Sequence, residues 1–155
     1  MTRLRAGEWL AGLGAVGLLV VLFLNWFSSG DLEKSGWGSL GWLLDVALAV
    51  VALGGLSITY MTLKRTSPAW PVGASALTLL AGTIVTVVLL IRVITQPDLG
   101  AGLPDALVSV ELAAYLGVAF CALIPIGAAI ALHDERLDAP ESAYTPPPPR
   151  PVPGT

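Results

Sequence analysis

Asn25, Asp45, Arg92 and Glu111 are the polar side chains that interrupt the long apolar stretches of this sequence. A guanidinium can bind two carboxylates at once, and an amide nearby adds both donors and an acceptor. Ionisable groups inside an apolar segment are costly, so they turn inward and pair, reach for an interface, or line a path for a ligand or ion. The expected arrangement is a clasp in which Arg92 is held by Asp45 and Glu111. Snorkelling of each side chain to an interface, or an outer-side ligand, cation or proton site, are the alternatives. A carboxylate relay across a bilayer would need more groups. No Asp, Glu, His, Lys or Arg occurs between Val46 and Leu63, or between Leu112 and Leu132.

Other chemistry is thinly represented. Nucleophilic catalysis needs a base within hydrogen-bond reach of the nucleophile. The single cysteine, Cys121, and the single histidine, His133, lie about three helical turns apart. His133, Asp134 and Glu135 read as a solvated helix end rather than converging metal ligands. Gly12, Gly14 and Gly17 spell G-x-G-x-x-G, but the dinucleotide fingerprint needs a preceding strand and a later acidic residue. Inside an apolar run those glycines instead let neighbouring helices approach closely. The expectation is a chain without enzyme activity, cofactor or metal.

The elements that must position these residues follow from composition. Of 155 residues, 55% are hydrophobic and 12% charged, against about 25% charged in soluble domains. A soluble domain of this size could not cover so much apolar surface. Trp9 to Gly30 carries no charge, enough at about 1.5 Å per residue to cross a hydrocarbon layer of about 30 Å. Three further runs follow. They predict spans at 7–27, 40–63, 69–94 and 106–132, an all-α membrane protein built as a four-helix transmembrane bundle over residues 1–135. Arg3 and Arg5 before an apolar core resemble a signal peptide, but Leu24-Asn25-Trp26-Phe27 is bulky where a cleavage site needs small residues. An uncleaved first span is expected, with Trp26 in an interfacial aromatic belt.

The loop from Ser28 to Leu40 is polar, broken by Gly36 and Gly38 and edged by Trp37 and Trp42, and so should lie at the headgroups. Ala74, Thr78, Gly82 and Thr86 form one small-residue stripe, and Ala113, Gly117 and Cys121 another, each suited to helix packing. Pro125 predicts a kink. The loop from Thr95 to Asp105 is irregular. Residues 136–155 include Thr145 to Pro153, too rich in proline for a helix, and are expected to be a disordered polyproline tail. Its PxxP pattern beside Arg150 could dock on an aromatic groove of a partner.

Arg3, Arg5, Lys64, Arg65 and Arg136 fall on one side of this arrangement, and Lys34 lies in a loop on the other. The positive-inside rule then puts both termini in the cytoplasm, and the membrane expected is the plasma membrane. Basic residues do not cluster into a nucleic-acid face. The lipid bilayer is the expected partner on this reading, with a homo-oligomer or another membrane protein as the macromolecular one. The expected role is a non-catalytic structural or interaction component. The alternative is a small transporter or channel subunit built on Asp45, Arg92 and Glu111.

Gly7-Glu8-Trp9, Leu22-Phe23-Leu24-Asn25-Trp26-Phe27, Ser35-Gly36-Trp37, Asp45-Val46 and Ala114-Tyr115-Leu116-Gly117 together give a pattern. It resembles the small four-span membrane proteins of unknown function from high-GC Gram-positive bacteria. The resemblance covers about Gly7 to Arg136 and implies no known activity.

Overall fold

A computed structural model describes residues 6–29, 32–64, 69–95 and 108–137. The loop after Thr95, the basic turn after Lys64 and the expected proline-rich tail beyond Leu137 lie outside them, while Arg136 and Leu137, expected in that tail, belong to the last helix. The chain is mostly helical, in the order α1 (Ala6–Val21), β1 (Asn25–Ser29), β2 (Leu32–Ser35), α2 (Gly36–Ser39), α3 (Trp42–Lys64), α4 (Ala69–Thr95), β3 (Ser109–Val110) and α5 (Leu112–Leu137). Three segments, in α3, α4 and α5, are long and apolar enough to cross a membrane, and α1 is a shorter apolar helix.

α1 packs against α3 and α5, and α4 packs against the same two helices. Each of these four pairs runs antiparallel. Gly7 at the start of α1 meets Gly127 and Ala131 near the end of α5, and Thr78 meets Gly54 across the α3–α4 seam. At the α4–α5 seam Thr86 donates to the Cys121 sulfur at 3.3 Å.

Residue size explains how the backbones come so close. Ala11, Ala15, Ala52, Ala114 and Ala128 are buried, and glycines occupy the tightest points. A Cβ added at Gly7 would stand 2.6 Å from the Ala131 amide nitrogen, and one at Gly14 would stand 2.8 Å from the Phe120 carbonyl oxygen. Small residues at helix seams allow such approach. The glycines of the G-x-G-x-x-G run are therefore packing residues, Gly12 against Thr59 of α3 and Gly14 and Gly17 against α5. Pro125 lies within α5, and its ring packs on Gly82 of α4.

Leu18, Leu22, Leu48, Ile58, Leu89 and Ile124 fill the core between the helices, but many other large apolar side chains point outward. Leu43, Val46, Val50 and Leu53 on α3, and Leu77, Leu80, Ile84, Val87 and Ile91 on α4, are exposed at helical spacing. Such stripes face the core in a water-soluble bundle. Here they face out.

The structure corrects the all-α expectation at one end of the bundle. The first helix stops at Val21 instead of continuing to Phe27, and Asn25–Ser29 forms the central strand of a three-stranded sheet ordered β2-β1-β3. The last helix starts at Leu112, not near Ala106, with β3 just before it. Both partners of β1 are antiparallel: Ser28 pairs with Glu33 on β2 and with Ser109 on β3. Aromatic Trp26 and Phe27 suit a pleated, half-buried surface better than a helix end. Gly41, at φ +91° between α2 and α3, turns the chain into the second long helix.

Candidate functional site

The end of the bundle that carries the sheet also carries all four polar residues singled out by the sequence. Their geometry begins at the end of α1, whose last carbonyls have no partners within the helix. The Val21 carbonyl accepts from the Leu24 amide at 3.0 Å and from the Trp26 indole at 2.8 Å. The Leu22 and Leu24 carbonyls accept from the amides of Trp37 and Gly36, both at 3.3 Å. The first residues of α2 thus satisfy the chain leaving α1, which matters where water is scarce.

Trp26 is the centre of this closure. The register of β1 against β2 shifts between Asn25 and Phe27, and a bulge of that kind re-aims a side chain. The indole turns into the bundle and is fully buried. It fills the space left by two glycines: a Cβ at Gly36 would stand 2.9 Å from its ring, and one at Gly117 of α5 would collide with its far edge. Trp26 is therefore not part of an aromatic belt. Trp42, which is 77% exposed, and Trp9, at 53%, do present their rings outward. Trp37 stacks at a tilt on Phe23, with ring centroids 6.1 Å apart.

The structure separates the four polar residues into pairs of different partners. Asn25 donates from its side-chain nitrogen to the Glu33 carboxylate on the facing strand. Glu111, between β3 and α5, accepts from the Ser28 hydroxyl at 2.6 Å, and its amide donates to the Trp26 carbonyl at 2.9 Å. These contacts tie three segments distant in sequence into one cap. They place Asn25 and Glu111 in the cap rather than inside helical spans.

Asp45 and Arg92 stay on the helices. Asp45 lies in the first turn of α3, with one carboxylate oxygen buried and without a hydrogen-bond partner. Arg92 lies in the last turn of α4, partly buried, on the wall of an open groove of about 510 Å³. Among the described residues no ion pair joins Arg92 to Asp45 or Glu111, so the expected clasp is not formed in this structure. Cys121 is buried and unpaired in a disulfide, and among the described residues no three His, Cys, Asp or Glu side chains converge.

Sequence reasoning missed Ser28 and Glu33 as partners, and missed Trp26 and Gly117 as a wedge and its slot. The one available signal was Asn25-Trp26, a polar residue and a bulky ring closing an aliphatic run. Compared with family models, with curated proteins and with solved structures, the chain matches none.

Proposed function

We propose that this chain crosses the plasma membrane four times, keeps both termini in the cytoplasm, and works as a non-catalytic structural or interaction component. The observation that supports this most is the large aliphatic surface that the long helices turn outward. Glycine and alanine let the helices close on a core of Leu18, Leu22, Leu48, Ile58, Leu89 and Ile124, yet Leu, Ile and Val also line the outside of the long helices. Soluble monomers rarely expose contiguous apolar patches beyond about a few hundred Å², whereas lipid is as apolar as leucine and favours such a surface.

The shorter α1 supplies the fourth crossing on this reading. Its 16 residues rise about 24 Å, and the bonds to the Val21, Leu22 and Leu24 carbonyls let the chain turn into the sheet near the interface. The basic residues at Lys64 and Arg65, and those flanking the bundle at Arg3, Arg5 and Arg136, favour the cytoplasm for that end.

An interaction role predicts that crosslinking in native membranes captures a homo-oligomer or one reproducible membrane partner. A strictly solitary monomer would contradict it. The proline-rich tail beyond Leu137 is a second surface for recruitment through its PxxP segments, and nucleic acid is not a partner on this reading.

One observation favours a second reading, a small transporter or channel subunit: the unpartnered buried oxygen of Asp45. Intramembrane acids left without partners often mark a pathway. If so, Asp45→Asn abolishes a flux or ligand response at unchanged protein level. Reduced abundance alone would leave Asp45 as a packing residue and sink the transport reading.

A further inference from the structure

Arg92 differs from Lys64, which also stands at a helix end. Lys64 closes α3 with its ammonium 4.9 Å from the centre of the Tyr60 ring, a contact that partly compensates the cation. The Arg92 guanidinium has no such ring and no carboxylate among the described residues. It stands three residues before the end of α4, about 4.5 Å inside it, the depth at which long basic side chains reach toward headgroups. The groove beside it continues along Leu40, Leu43, Val88 and Ile91 and is edged by Trp42. Leu43 and Ile91 are 68% and 55% exposed. Asp45 does not line this groove; one of its carboxylate oxygens is buried.

We propose that this groove between the start of α3 and the end of α4 holds one anionic phospholipid. Its phosphate sits on the Arg92 guanidinium and an acyl chain runs along Leu43, Val88 and Ile91. A planar guanidinium matches phosphate with two parallel hydrogen bonds. Charge complementarity selects the headgroup, because among the described residues the groove presents a cation and no lining carboxylate that would attract a lipid ammonium. Apolar walls that open outward suit a chain already dissolved in the bilayer, and Trp42 stands where an indole favours the headgroup level. The inference rests on the membrane reading above.

The test uses the full-length protein, taken from membranes washed at alkaline pH, purified in mild detergent and stripped of lipid. Phosphatidylglycerol is added, and bound lipid is read by native mass spectrometry. Wild type retains one phosphatidylglycerol. Arg92→Gln loses it by about tenfold, as expected for a lost charge-assisted contact, and Lys64→Gln retains it. Ile91→Trp, which fills the groove and keeps the cation, also loses it, and decides the matter should Arg92→Gln fail to accumulate. Inorganic phosphate does not displace the lipid.

Retention by both groove variants would overturn the proposal. So would displacement by phosphate alone, which would mean a simple anion site, or equal retention of phosphatidylethanolamine, which would remove the charge argument. Release of the protein by the alkaline wash would instead overturn the membrane reading itself.

Discussion

At the scale of single residues, Trp26 carries more structure than any of the ionisable groups. Its indole donates to the last carbonyl of α1, fills the hollow over Gly36 and Gly117, and its own carbonyl holds Glu111. Trp26→Ala should lower stability by about 3 kcal/mol, the range for emptying a buried aromatic site, measured as thermal unfolding in detergent. Gly117→Val should cost about 1–3 kcal/mol by overpacking the same space. The two are coupled. In a Trp26→Ala background the Gly117→Val penalty should shrink by about 1 kcal/mol or more, and simple additivity would show that the valine is accommodated elsewhere. Little of this was legible beforehand, because an indole at the end of an apolar run has the same composition whether it faces lipid or a glycine slot. What separates the two is Gly117, ninety-one positions along the chain, and no local pattern links them.

At the scale of elements, helix seams are set by where the chain omits a side chain. Gly127 of α5 would place a Cβ against the Ala11 amide and the Gly7 carbonyl. Those are backbone atoms, so no rotamer change relieves the clash and α1 must move away. Gly127→Val should therefore destabilise by about 2 kcal/mol or more. Gly73 in α4 has open space around its α-carbon, so Gly73→Ala should be neutral, or stabilising by up to about 1 kcal/mol through helix propensity. Comparing the two melting curves checks the assignment of the seam. If both substitutions behaved alike, close packing of α1 on α5 would be contradicted.

The helices themselves were readable, since long uncharged runs bounded by glycine, proline and charge leave few alternatives. The α4 small-residue stripe was readable too, and it lies where Thr78 and Gly82 meet α3 and α5, whereas Gly117 in the α5 stripe receives Trp26 and not a helix. The sheet was not. Asn25–Ser29 continues the uncharged run from Trp9 without a break, and periodicity cannot separate a short strand from the last turns of a helix. β3 is two residues long, too brief to leave a period of its own. Its pairing with β1 is a long-range contact that only the assembled bundle creates.

At the scale of the whole molecule, the four polar residues of the sequence were gathered at one end by simple depth counting, and one end is where they lie. Depth counting assigns no partners, however. Glu111 is taken by Ser28 and Asn25 by Glu33, which leaves Arg92 facing a groove and Asp45 turned inward. The result is a polar cap over an apolar barrel of helices. Its outer surface of large aliphatic side chains is costly in water at roughly 25 cal/mol per Å² and costs little in hydrocarbon.

The solvent of that surface is the central claim, and extraction of membranes from cells making the full-length protein at alkaline pH tests it most directly. Peripheral proteins are stripped by this treatment, and helices embedded in lipid are not. The account predicts that the protein stays in the sedimented membranes and enters solution only with detergent. Recovery of folded, monomeric protein in the aqueous supernatant without detergent would contradict it.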